Sequence, residues 1–243
     1  MMKNDTTLET PYGLVRCGES PTIYETLLAE IEAVCETANE AATVALTGGS
    51  TPTRFYQWAA VRGVPPVVRQ KAVWTVSDER MVPLTDSESN FGNAVRGLLD
   101  PLAIPEEKRF PWPVTADPQS AGIAYEMKFR DRFGDRCAYD LCLLGMGEDG
   151  HTASIFPDSP LLAIDDRNWF SAVQVPGKGW RLSITPAGLP ECGRIRVVVS
   201  GAAKADVLRE VLFGPRQCYP VQLLESCAER VEWLVDPAAA SRL

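Results

Sequence analysis

Residues 139–151 read "YDLCLLGMGEDGH". A nearly continuous apolar run, 139–145, opens into a turn with glycines at 145, 147 and 150 and the chain's only histidine, His151. An apolar run without polar alternation is the mark of a strand buried on both faces, as in parallel sheets covered by helices. The same pattern recurs in "TVALT" (43–47), "AVWTV" (72–76), "IRVVVSG" (195–201) and "VEWLVD" (231–236).

Helical segments separate these runs. In "SPTIYETLLAEIEAVCETANE", a Ser-Pro entry precedes one stripe of Ile23, Leu27, Ile31, Val34 and Ala38. "PTRFYQWAAV" predicts a helix that begins at Pro52 with Thr51 as its N-cap, and "SESNFGNAVRGLLD" and "AKADVLREVLF" predict two more. "AGIAYEMKFRDRF" (121–133) is amphipathic, with Ile123, Met127 and Arg130 on one face and Tyr125 and Phe129 beside it. Strands alternating with helices predict an α/β fold: a doubly wound, mostly parallel sheet with helices on both faces. The Pro-rich stretch 101–118 carries aromatics that suit a packed loop better than a linker, so the chain reads as one domain, 1–243, with residues 1–12 as a flexible N-terminus.

The composition is that of an ordinary globular protein, 45% hydrophobic and 23% charged. A net charge of −8 argues against a nucleic-acid or anionic-membrane partner, though a few local cations can still hold a small anion. The polar start shows no secretory signal, and no apolar stretch nears the roughly 20 residues needed to span a bilayer, so a cytoplasmic location is expected. Seven scattered cysteines with no CxxC pair predict reduced, mostly buried thiols, and one histidine without clustered cysteines predicts no metal. Oligomeric state is open between a monomer and a small homo-oligomer.

In such sheets ligands gather beyond the carboxyl ends of the strands. Three turns there carry chemistry. Gly48, Gly49, Ser50 and Thr51 combine close backbone approach, two hydroxyls and a helix N-terminus, which makes a phosphate cradle; the motif matches neither common nucleotide-binding loop. The same residues also suit a plain tight turn before a capped helix. In "SDER", Arg80 offers a planar fork of donors for a phosphate or oxyanion, while Asp78 and Glu79 can orient a sugar hydroxyl or hold Arg80, with Asn90 supporting the loop. A solvated charge cluster is the competing reading. In "GEDGH", Asp149 stands two residues from His151, and a carboxylate beside an imidazole orients it for general-base work.

Together "TGGSTP", "SDERMVP…SN" and "LLGMGEDGHTASIFP" resemble the 6-phosphogluconolactonase family, and "WRLSITPAGL", "VVVSGAAKADVL" and "PVQLL…VEWLVDPAAA" extend the resemblance over about residues 20–240. The resemblance implies a Rossmann-like fold and the metal- and cofactor-free hydrolysis of 6-phospho-D-glucono-1,5-lactone, a phosphosugar lactone, in the oxidative pentose phosphate pathway. It implies that His151 activates water, that Asp149 positions it, that Arg80 joins them in catalysis, and that Gly48, Gly49, Ser50, Thr51, Asp78, Arg80, Arg181 and Lys204 receive substrate and its phosphate. One position departs from the family: Thr53, followed by Arg54, stands where many members carry lysine. Two rivals resemble the same turns. A glucosamine-6-phosphate deaminase or isomerase shares "DGH" but follows it with a glutamate-bearing stretch, where this chain has Ser154, Ile155 and Phe156. A non-catalytic phosphosugar sensor would keep the cradle and lose the chemistry.

Overall fold

The computed structural model describes residues 6–163 and 167–243. In chain order the strands are β1 (Thr6–Thr10), β2 (Gly13–Cys17), β3 (Ala42–Leu46), β4 (Ala72–Val76), β5 (Asp78–Arg80), β6 (Leu141–Gly145), β7 (Phe170–Val175), β8 (Gly179–Ile184), β9 (Arg194–Val199) and β10 (Val231–Val235). The helices are α1 (Ser20–Thr37), α2 (Ser50–Arg62), α3 (Pro66–Lys71), α4 (Asn90–Ala94), α5 (Pro118–Phe133) and α6 (Ala205–Phe213).

Seven strands form the main sheet in the order β1-β2-β10-β9-β6-β3-β4. All neighbours are parallel except β1 and β2. Every residue of β3, β4 and β10 is buried, so both faces of the sheet are covered there, as their largely apolar sequences require. The chain leaves β3 for β4 at one edge and then returns to β6 on the opposite side of β3. That reversal separates the loops that follow β3 and β6 and opens a crevice at their carboxyl ends.

A second sheet, β5-β8-β7, is antiparallel. The sequence did not announce it, because β7 and β8 mix apolar residues with Ser171, Gln174, Arg181 and Ser183. Its first strand is the SDER segment itself: residues 78–80 are strand, not open loop.

Three further expectations change. Residues 6–12 are not a flexible N-terminus: Thr6–Thr10 pair with Gly13–Cys17 across a tight turn, and Tyr12 is buried, while residues 1–5 lie outside the described residues. Thr51 is not the N-cap of α2: the helix begins at Ser50 behind Gly49, whose φ of 108° lets the chain enter the helix two residues early, and no side chain caps that end. Pro52 is still tolerated, since a first-turn residue needs no intrahelical N–H bond. In α5 the face bearing Ile123 and Met127 is turned to solvent, at 58% and 68% exposure. Ala121, Gly122, Tyr125, Glu126 and Phe129 are buried instead. The aromatics decide this orientation: Tyr125 stacks on Trp112 at 3.8 Å, and Phe129 meets Phe110, Tyr139 and Phe170 edge-on. Glu126 is carried inward with them and accepts from the Phe170 N–H at 3.0 Å.

The Pro-rich stretch is a packed loop. Phe110 N–H donates to the Trp74 carbonyl and the Trp112 indole N–H to the Val76 carbonyl, both at 2.8 Å, so the loop covers the open edge of β4. Cys17, Cys35, Cys142, Cys192 and Cys227 are buried, and none of the seven cysteines is joined in a disulfide.

Candidate active site

The loops after β3, β4, β6 and β9 converge on one cleft of about 290 Å³. Gly48, Gly49, Ser50 and Thr51 line it from the β3 side, Asp78, Arg80 and Asn90 from the second, Gly145–Gly147, His151 and Ala153 from β6, and Ser200 and Lys204 from β9. Its lining joins residues more than 150 positions apart in sequence, as the switch in strand order demands.

At the β3 loop the missing cap matters more than the expected one. The Ser50 and Thr51 N–H groups sit in the first turn of a 13-residue helix, where they have no intrahelical partner. Among the described residues no side chain caps that end in place of an anion. The positive end of the helix dipole therefore faces the cleft undamped.

The β6 turn is folded around its histidine. Gly147 N–H donates to the His151 carbonyl at 2.9 Å, and Gly150 N–H to the Gly147 carbonyl at 3.2 Å. A Cβ on Gly147 would stand 2.0 Å from His151 Nδ1, so this position must be glycine for the ring to lie where it does. His151 Nδ1 is hydrogen-bonded to Asp149 Oδ1, and the His151 backbone N–H donates to the same oxygen at 3.2 Å. Partial burial would raise the Asp149 carboxyl, but these two hydrogen bonds and the charge of the ring outweigh it and hold the group below its ordinary value. An ionised carboxylate only accepts, so the imidazole proton is assigned to Nδ1. The Nε2 lone pair is then left free to accept a proton.

Asp78 and Glu79, adjacent in sequence, have separate tasks. Asp78 lines the cleft and is nearly buried. Its Oδ2 accepts from Ser154 Oγ at 2.6 Å, and the Asn90 amide donates to its backbone carbonyl at 2.9 Å. Glu79 points away from substrate space and is wholly buried. Its oxygens accept from the N–H groups of Arg80, Asn90 and Phe91 and from Ser89 Oγ, all within 2.7–2.9 Å. It is the clamp on the 80–91 loop and the start of α4, and thus holds Arg80 through its backbone. Burial raises the Glu79 carboxyl, and the four hydrogen bonds only partly offset that.

The cations divide into two groups. Arg80 lines the cleft, its Nη1 donating to the Glu88 carbonyl, and Arg181 stands directly opposite it on β8. Arg181 is not itself in the cleft lining; its guanidinium donates to the carbonyls of Lys178 and Trp180. Desolvation by burial and the neighbouring charge of Arg80 lower its pKa. Two guanidiniums abreast repel, and an anion between or before them relieves that strain. On the opposite side Lys204 enters the cleft from the loop after β9, 3.8 Å from an exposed Glu148 carboxylate. Arg54 is exposed on α2 and does not line the cleft. Among the described residues no three histidine, cysteine or carboxylate side chains gather as a metal-binding set, and no helix is long and apolar enough to cross a membrane.

Ser154 and Ser200 were not singled out from sequence. Ser154 bonds Asp78 across 76 positions, a pairing no local spacing encodes. Ser200 follows an apolar run as Ser77 does, and strand-end position was the available signal.

Residues 20–233 match the model of the family described as glucosamine-6-phosphate isomerases/6-phosphogluconolactonase. A 6-phosphogluconolactonase from Synechocystis sp. is 35% identical over 211 residues, covering 83% of this chain and 84% of that protein. One from Treponema pallidum is 38% identical over 186 residues, covering 73% and 75%. Among solved structures, 6-phosphogluconolactonase from Trypanosoma cruzi superposes with a TM-score of 0.81 at 26% identity, covering 93% of this chain and 95% of that one. With the family match running from α1 into β10 and taking in all four loops of the cleft, the chain belongs to the glucosamine-6-phosphate isomerase/6-phosphogluconolactonase family.

Proposed function

We propose that this protein hydrolyses 6-phospho-D-glucono-1,5-lactone to 6-phosphogluconate. The observation that carries the reading is an imidazole with Nδ1 committed to a carboxylate and Nε2 free, in the same cleft as an uncapped helix N-terminus and two cations. A base at one end and an anion seat at the other fit a small ester whose far end is a phosphate. The cleft volume lies at the small end of the range for ligand sites, as a single hexose phosphate requires.

In this reading the phosphate rests on the Ser50 and Thr51 N–H groups and is countered by Arg80 and Lys204, with Arg181 reinforcing Arg80. Asp78, fixed by Ser154, accepts from a hydroxyl of the sugar ring. A water between His151 and the lactone carbonyl gives its proton to Nε2 as its oxygen bonds to C1. The tetrahedral oxyanion then collapses, the bond from C1 to the ring oxygen breaks, and that oxygen takes the proton back from the imidazolium as it leaves as the C5 hydroxyl. Asp149 keeps the ring in the correct tautomer and offsets the charge it carries between the two transfers. No residue is covalently modified and the base is regenerated in each turnover.

The deaminase reading is disfavoured because Ser154, Ile155 and Phe156 follow the DGH turn with no acid among them. An assay of lactone hydrolysis, corrected for spontaneous opening, is run beside ammonia release from glucosamine 6-phosphate. Hydrolysis without ammonia supports the proposal; ammonia without hydrolysis, or neither, overturns it.

A further inference from the structure

The carboxylate is not the only group against the sole imidazole. Phe156 also packs on it, its ring lying against the face of His151 with centroids 4.3 Å apart and planes inclined by 31°. The hydrogen bond at Nδ1 and the close approach of Gly147 hold one edge of the ring but not its tilt, and tilting sweeps Nε2 through an arc. An apolar plate against one face removes that freedom while leaving Nε2 accessible, because it adds no polar group that could compete for the proton.

The plate is itself anchored. Phe156 packs against the core, and the Lys178 ammonium, from the turn between β7 and β8, lies 5.1 Å from its ring centroid. The residues before it are tied at each step: Thr152 Oγ donates to the Gly145 carbonyl at 3.0 Å, Ser154 N–H to Ser183 Oγ at 3.1 Å, and Ile155 N–H to the Thr152 carbonyl at 2.9 Å. Ile155 is completely buried. The short segment 152–156 is thus a rigid bracket that returns to the histidine it follows.

We infer that Phe156 is a positioning residue for the hydrolysis: its ring fixes the plane of His151, so that Nε2 is aimed at the attacking water before substrate binds. The inference rests on the lactonase reading, and misplacement of a base by about 1 Å costs up to about 10²-fold in rate. Phe156→Leu keeps apolar volume and removes the flat contact; kcat is expected to fall roughly 10- to 100-fold with KM unchanged. Phe156→Tyr keeps the ring and is expected to retain wild-type kcat.

A single histidine permits a direct readout independent of turnover. In the proton–carbon spectrum of histidine-labelled protein, the ring protons of His151 are expected upfield through the ring current of Phe156, and to move downfield in Phe156→Leu. Wild-type protein without the upfield shift overturns the inference even where the leucine variant does not fold. So does Phe156→Leu with unchanged kcat, or with KM and kcat altered together. A wild-type protein with no lactonase activity but a clear ring-current shift removes the function and leaves the contact, so the two failures are distinguishable.

Discussion

His151 is the chain's one histidine, it lines the cleft, and in the proposed reaction it is the base. General-base assistance supplies about 10²–10⁴-fold, so His151→Ala is expected to lower kcat by that factor, with KM little changed because the anion seat is elsewhere. Steady-state kinetics corrected for spontaneous hydrolysis checks it, and near-full turnover in the variant would make the imidazole structural. Asp149→Asn leaves the base but removes the charge behind it, and a smaller loss in kcat is expected from the same assay. Asp149 also sets a pH dependence of stability. Its folded pKa lies below its unfolded value, so its ionised form favours the folded state. That contribution is complete above the ordinary carboxylate range and disappears as pH falls through the depressed folded value. Thermal midpoints of wild type and Asp149→Asn are therefore expected to converge in strong acid and to separate above it.

At the scale of elements, Glu79 is the residue on which the second wall of the cleft hangs. Both its oxygens face donors, so the amide group of Glu79→Gln must turn its own N–H bonds toward some of them. A loss of about 1–3 kcal/mol is expected from denaturant unfolding, the usual cost of a buried polar group left unpaired. In wild type the burial-raised carboxyl binds more protons folded than unfolded, so stability from this group falls as pH rises from the ordinary glutamate range through the folded value. The variant is expected to lose that slope, and a stable variant with the slope intact would remove Glu79 from the role of clamp. Such elements explain what was legible in the sequence. β3, β4, β6, β9 and β10 declare themselves because strands with both faces covered are dominated by apolar residues, and the glycines after β3 and β6 mark their carboxyl ends. β5 is three charged residues whose strand character comes only from β8 across from it. β1 is "TTLET", whose pairing with β2 is decided by a turn rather than by an apolar face. The helix α5 was readable as a helix, but not its orientation, which a cluster of rings from the distant segments 110–112 and 169–170 selects. In the site, His151 and Asp149 were legible because two positions separate them; the bond from Ser154 to Asp78 was not.

The molecule as a whole is acidic, yet the cleft gathers Arg80, Lys204 and a helix N-terminus, with Arg181 just behind. An anion bound there stabilises the folded chain by mass action, by about 2.7 kcal/mol at 100 times its Kd. Inorganic phosphate is therefore expected to raise the thermal midpoint of wild type, and by much less in Arg80→Ala or Lys204→Ala. An equal rise in the variants would show that phosphate sits elsewhere. The strand order has one further consequence, for the ribosome rather than the substrate. The hairpin of β1 and β2 reaches the main sheet only through β10, where Val15 lies beside Trp233. At about 5–20 residues per second, that hairpin waits roughly 10–40 s for the strand that receives it. Until β10 is made, β2 and, once synthesised, β9 each keep an unpaired strand edge shaped to accept the same missing strand. β10 must therefore be made before the sheet can close, and a chain interrupted after α6 keeps every loop of the cleft while offering both edges to its neighbours on the polysome.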